Sequence, residues 1–263
     1  MGLLDRLRAR MMGSGPVHVR AEGADTPKAA TVVEEAPIMA VRPLLADGPV
    51  SCVLDIGAHH GDSTLEILDA FPAAKVHAFE PDSHNHAAAA IRLAPHAGRV
   101  GLHRAALSDR DGTSVLHVNS HDGTHSLLEI GAQRYWAGWA GPLGKAEVPS
   151  VTLDRFCADA GIGCVDFLKM DIQGAELVAL HGAAGLLQRH AIRAVLLEVE
   201  FQPLYRNQPL IWEVGAFLAS QGYGMYRLYE PYYHPRNPNL LAWADALFLA
   251  PEFLGVPEWE PVS

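Results

Sequence analysis

Cysteine is scarce in this chain of 263 residues: Cys52, Cys157 and Cys164 are the three present. An odd count with no close pair gives no disulfide framework and no Cys-x-x-Cys zinc or redox motif. Free thiols of this kind suit a reducing compartment, so a cytoplasmic protein is expected. Long apolar runs are also missing. None reaches the roughly eighteen residues needed to cross a bilayer. The opening MGLLDRLRARMMGSG is charged throughout and lacks the apolar centre of a secretory leader. Arg6 breaks the myristoylation pattern behind Gly2. Leu3, Leu4, Leu7 and Met11 would share one face of a short helix, with Arg6, Arg8 and Arg10 elsewhere. That pattern leaves open a weak peripheral contact with anionic lipid beside plain packing.

Positive charge is the third shortage. Lys and Arg number 20 against 30 Asp and Glu, a net charge of -10. Nucleic-acid binding calls for a basic footprint, so a nucleic-acid partner is not expected. What the chain does have is apolar content of 49%, enough for one sizeable core. Residues 13 to about 48 are rich in Gly, Pro, Ala, Glu and Thr without periodicity and read as linker or loosely packed extension. The division expected is an extension over 1–48, helical at its start, and one domain over 49–263.

Within that domain short apolar runs alternate with helical patterns. Ser51–Ile56, Lys75–Phe79, Val100–Leu107, Ser114–Val118, Val165–Met170, Ile192–Val199, Tyr223–Leu228 and Ala246–Leu249 read as strands. Ser63–Phe71, Ser83–Leu93, Thr152–Ala160, Ala175–Gln188 and Leu210–Gln221 read as helices. Such alternation predicts an α/β fold: a doubly wound, mostly parallel sheet with helices on both faces. Residues 119–146 show no clear period and read as a long loop, a candidate lid or substrate wall.

In open parallel sheets the ligand sits outside the carboxyl ends of the strands. The first strand ends Asp55-Ile-Gly-Ala-His-His-Gly61, where Gly57 and Gly61 let the backbone approach a ligand. The phosphate cradle Gly-x-Gly-x-x-Gly is missing, and Asp55 ahead of the loop disfavours a pyrophosphate. A dinucleotide oxidoreductase is therefore a weak rival. The second strand ends Phe79-Glu80-Pro81, a little over twenty residues after the loop, where an acid can accept hydrogen bonds from both hydroxyls of an adenosine ribose. Leu168-Lys-Met-Asp-Ile-Gln-Gly-Ala-Glu176 places Asp171 and Glu176 at the same edge, with Gly174 permitting a tight turn.

These pieces, with Ala106-Leu-Ser-Asp109, Val151-Thr-Leu-Asp154 and Leu197-Glu198, stand in an order that resembles the FkbM-type family of S-adenosylmethionine-dependent methyltransferases. The resemblance covers about Val53 to Leu249. It implies the seven-stranded methyltransferase sheet, S-adenosylmethionine as cofactor, and methylation of a hydroxyl on a sugar, glycan or small natural product. It also implies that Gly57 and its loop hold the methionine part, Glu80 the ribose, and that Asp109 lies near the adenine. The family usually has Asn where His59 stands and often an acid where Gln173 stands. The rival reading from another class is a non-catalytic cofactor-binding or scaffold protein on the same fold.

The cofactor-binding residues expected are thus Asp55, Gly57, His59, Gly61, Glu80, Pro81, Asp109 and Asp171. An alcohol is a poor nucleophile, so a base or a metal should help remove its proton. Asp171 and His125 are the candidate bases. Asp171, Glu198 and Glu200 would converge if the sheet order is that of the resembled fold, and would suit Mg²⁺, or Mn²⁺ with a histidine added. Metal-free catalysis is the alternative. Of the fourteen histidines, His59, His60, His121, His125 and His234 fall in expected loops near strand ends. Tyr135, Trp136 and Trp139, and Tyr229-Glu-Pro-Tyr-Tyr-His234, are aromatic stretches suited to stacking on an acceptor, to core packing or to oligomer contact.

Overall fold

The structure, a computed structural model, describes residues 36–131 and 140–254. The aromatic stretch 135–139 and the N-terminal helix around Leu3–Met11 lie outside the described residues. The main sheet has seven strands in the order β3-β2-β1-β7-β8-β10-β9. These are β1 (Cys52–Ile56), β2 (Lys75–Phe79), β3 (Val100–His103), β7 (Val165–Met170), β8 (Ile192–Glu200), β9 (Gly224–Tyr233) and β10 (Leu241–Leu249). Every neighbouring pair from β3 to β8 is parallel, and β10 runs antiparallel to both β8 and β9. The order reverses between β1 and β7, which opens the switch point where such sheets bind ligands.

The strands read as near-continuous apolar runs because both faces are covered. Successive residues therefore face opposite layers. Leu54, Leu168, Leu197 and Phe248 join one buried cluster with helices α5 (Glu176–His181), α6 (Ala184–Gln188) and α7 (Ile211–Ser220). Val53, Phe167, Leu196 and Leu247 join the other, against α1 (Pro37–Val41) and α2 (Asp62–Ala70). Helix α3 (Ser83–Leu93) follows β2 and is capped by Asp82, whose side chain accepts from His84 N and Asn85 N. Helix α4 (Leu153–Ala160) is capped by Thr152.

Several expected boundaries move. The strand expected over Val100–Leu107 divides, because β3 stops at His103 and Ala106–Leu107 (β4) pairs in a second sheet of order β4-β6-β5. That sheet joins β5 (Gly112–Asn119) to β6 (Pro142–Val151). So the loop expected over 119–146 ends in a strand. Residues 142–145 of β6 are exposed, which is why no alternation marks them. The helix expected over Ala175–Gln188 breaks at Gly182. A Cβ there would stand 2.0 Å from the Ser108 carbonyl oxygen. Asp154 then caps the second piece, accepting from Gly185 N and Leu186 N, each at 2.8 Å. Residues 37–45, expected to close the extension, are helical, and Ile38, Val41 and Leu45 are buried in the second cluster. Strand β9 runs on to Tyr233, so Tyr229, Tyr232 and Tyr233 lie on a strand rather than in a loop.

Candidate active site

A cleft of about 380 Å³ opens at the carboxyl edge of the sheet. At one end the turn after β1 supplies Gly57, Ala58 and His59. Gly57 has φ +83°, and a Cβ on it would lie 1.9 Å from the Asp171 carbonyl oxygen, so the position requires glycine. Beside it Glu80 follows the end of β2. Its Oε2 accepts from His59 N and its Oε1 from Asp82 N, both at 2.9 Å. Burial raises the Glu80 pKa to about 7 despite those two N–H donors. Each oxygen keeps acceptor capacity toward the cleft. Pro81 and the segment Ala105–Leu107 continue the wall.

Asp55 is fully buried beneath this loop and does not line the cleft. Its Oδ2 accepts from Ser63 Oγ at 2.8 Å and Thr64 Oγ1 at 2.6 Å, which ties β1 to the first turn of α2. Gly61 is the N-cap of α2 at φ 88° and packs against Leu93, also away from the cleft. Asp109 lies outside the lining as well; it accepts from Ser108 Oγ at 3.2 Å and pairs with Arg110. Of the expected cofactor residues, the structure brings together Gly57, His59, Glu80, Pro81 and Asp171 around the cleft.

The other end is built on β7, β8, β9 and β10. Lys169 and Asp171 are two apart on β7 and its end, so they share a face. The Lys169 Nζ lies 3.8 Å from Asp171 Oδ2 and 3.7 Å from Asp55 Oδ1. Burial works against its charge, but Asp171, Asp55, Asp245 and Glu198 outweigh that and raise its pKa. The Gln173 side chain donates from Nε2 to Asp171 Oδ1 and to Glu198 Oε2, both at 3.0 Å. Tyr205 Oη stands 3.0 Å from Gln173 Oε1 and 2.9 Å from the Thr124 carbonyl. Trp243, stacked on Tyr232 with ring centroids 3.9 Å apart, lines the same end with Asp245 and Glu230.

The expected metal triad is not assembled. The Gln173 amide occupies the position between Asp171 and Glu198, and Glu200 is buried away from the cleft with Oε1 making no hydrogen bond. Burial, with neighbouring acids, raises both Glu198 and Glu200 well above the ordinary carboxylate range. His125 does line the cleft. Its Nδ1 accepts from Asn119 N at 3.2 Å, so the neutral ring carries its proton on Nε2. Burial lowers its pKa and favours that neutral form. Among the described residues, the single cluster of His, Cys, Asp and Glu atoms close enough for an ion is His59, His60 and Asp122. Sequence reading missed Lys169, Tyr205, Asp122, Trp243 and Asp245. Lys169 alone carried a signal, a charged residue alternating with Asp171 on a buried strand.

The thiols take no part. Burial pushes Cys52 up to about 12 and Cys157 to about 11, and neither lines the cleft. No helix among the described residues is long and apolar enough to cross a membrane.

A sheet with one reversed strand, a glycine turn after β1 and an acid after β2 define a Rossmann-like methyltransferase domain. Residues 55–225 match the family described as the methyltransferase FkbM domain, and the chain belongs to that family. It is 29% identical over 174 residues to 2-O-methyltransferase NoeI of Sinorhizobium fredii, across 62% of this chain and 69% of that protein. Among solved structures, magnesium protoporphyrin IX methyltransferase of Synechocystis PCC 6803, with bound SAM, aligns over 94% of this chain and 90% of its own at 14% identity and TM-score 0.45. Precorrin-6y C5,15-methyltransferase of Geobacter metallireducens aligns over 86% and 94% at 10% identity and TM-score 0.44. The strand order, not these last two likenesses, defines the fold.

Proposed function

We propose that the protein transfers a methyl group from S-adenosylmethionine to a hydroxyl of a sugar-like or small natural-product acceptor. The observation that carries the reading is the two-ended cleft. One end has a glycine turn pressed on the Asp171 carbonyl beside a buried acid, and the other a carboxylate set between a lysine and an amide. The residues fit the cofactor. Only a glycine fills position 57, and Glu80 holds two acceptor oxygens at the place of a ribose diol. Gly57, His59, Glu80 and Pro81 would hold it, with Ala105–Leu107 against the base. When bound, the cofactor supplies an electrophilic methyl group on a sulfonium.

The remaining work belongs to this chain. Asp171 is the proton acceptor for the acceptor hydroxyl, aimed by Gln173 and Lys169. His125 donates from Nε2 and orients an oxygen rather than taking a proton. Trp243 on Tyr232 offers a flat face to a sugar ring. The 2-O-methyl specificity of the NoeI relative supports a hydroxyl acceptor. The test is calorimetry with S-adenosylhomocysteine, followed by labelled-methyl transfer to a panel of glycosides. The expected result is micromolar binding, weakened at least tenfold in Glu80→Ala, with turnover lost in Asp171→Asn while binding persists. Folded protein that does not bind S-adenosylhomocysteine would overturn the reading.

A further inference from the structure

We infer that His59, His60 and Asp122 form a site for one borderline transition-metal ion, of the Zn²⁺ or Co²⁺ type, at the rim of the cleft. One ligand atom from each lies within 4.8 Å of the others. His59 Nε2 is 3.5 Å from Asp122 Oδ1 and His60 Nε2 is 3.4 Å from Oδ2. These separations are long for a hydrogen bond. Each alone is close to the edge of a tetrahedron, about 3.4 Å between ligand atoms that stand about 2.1 Å from an ion, the two histidines facing different oxygens of the one carboxylate. Imidazole nitrogens with one carboxylate select a borderline ion over Mg²⁺ or Ca²⁺.

The backbone explains why the two rings meet. His59 sits at φ +50°, a left-handed conformation uncommon outside glycine. Instead of diverging, the adjacent imidazoles stack with centroids 3.7 Å apart and 21° between their planes. To share one ion the two rings would turn out of this stack about their side-chain torsions. His59 Nε2 is buried and makes no hydrogen bond, with Asp122 Oδ1 beside it at ion-pair distance. His60 Nε2 is also 3.2 Å from Asn85 Oδ1, a contact the ion replaces.

Asp122 comes from the segment that follows β5. It opens the 3-10 turn Asp122–Thr124, which is fixed by Asn119 Nδ2 donating to the Thr124 carbonyl at 2.6 Å. The ion therefore joins the turn after β1 to the wall built by the second sheet. Three protein ligands leave a coordination position open, and His59 and Asp122 both line the cleft. A water or an oxygen or amine donor of a molecule in the cleft would take it.

The test titrates the metal-free full chain with Co²⁺, reading visible d–d absorption, and then displaces it with Zn²⁺. One equivalent with the intense bands of four- or five-fold coordination is expected. Asp122→Asn and His60→Gln should each weaken binding tenfold or more and together abolish the bands. His84→Gln, on an exposed residue of α3, should leave them unchanged. Unaltered bands in the folded double variant, or weak binding with an octahedral spectrum in the native protein, would overturn the site. Circular dichroism of the metal-free variants confirms that they fold. The readout needs no methyl transfer, so it stands or falls separately from the proposed reaction.

Discussion

At the scale of single residues, Gly57 carries the hardest steric demand in the cleft, because its neighbour is backbone and cannot move aside. A methyl group there meets the Asp171 carbonyl oxygen at 1.9 Å, whereas one at Gly61 meets only the Leu93 side chain, at 3.0 Å. Gly57→Ala should therefore cost about 3 kcal/mol or more and abolish S-adenosylhomocysteine binding, while Gly61→Ala should cost about 1–2 kcal/mol and leave binding measurable. Urea unfolding and calorimetry on the two variants check the ranking; equal losses would contradict it. Gly57, Glu80 and Asp171 were legible in the sequence because a strand end followed by a turn fixes where a residue sits, whatever its side chain does. Asp55 was legible as important but not in its task. Its burial beneath the loop depends on Ser63, Thr64 and Lys169, and only the assembled sheet brings Lys169 to it. Asp122 was not legible at all, since an Asp-Gly pair in a loop reads as turn chemistry.

At the scale of elements, the acids of β8 and α5 form a group whose protonation the fold controls. Burial raises Glu176 to about 7, and burial with neighbouring acids raises Glu198 and Glu200 well above the ordinary carboxylate range. A carboxyl whose folded pKa lies above its unfolded value of about 4.5 holds a proton that the unfolded chain has released. Its contribution to stability is complete below that unfolded value and is lost as pH rises through the folded pKa. Ligand-free protein should therefore lose stability between about pH 5 and pH 8. Glu200→Gln mimics the protonated form outside the cleft, so its advantage over the native chain should widen as pH rises from about 5 to about 8. Denaturant midpoints at the two pH values measure it, and a gap that does not change with pH would refute the assignment. The buried strands themselves were readable as apolar runs. Only the end of β6, Val148–Val151, was readable as extended; residues 142–147 were not, because most of them face solvent and their identity comes from pairing with β5. The break at Gly182 was hidden for a related reason: the Ser108 carbonyl that forbids a side chain there lies more than seventy residues away in sequence.

At the scale of the whole molecule, the sheet has two faces to cover, and the helices that follow its strands do not cover both completely. The face carrying Val53, Val76, Phe167 and Leu247 is shared by α2 and by residues 37–45, which supply Ile38, Val41 and Leu45. A segment rich in Pro and Ala without long periodicity reads as linker because one short helical turn is too brief to show a period. Its meaning comes from the apolar face it finds. The same turn reaches the cleft, where Pro37 and Ile38 form part of the wall, so cover of the core and shape of the site are linked through it. Leu45 has no exposed surface. Leu45→Ala should therefore behave as a core truncation, costing about 3 kcal/mol within the usual range for buried leucine, with a fall of roughly 6–12 °C in the thermal midpoint of a chain this size. If 37–45 were only the end of a loosely attached extension, the loss would stay below about 0.5 kcal/mol, as for a surface substitution. Thermal unfolding of the full-length variant separates the two outcomes.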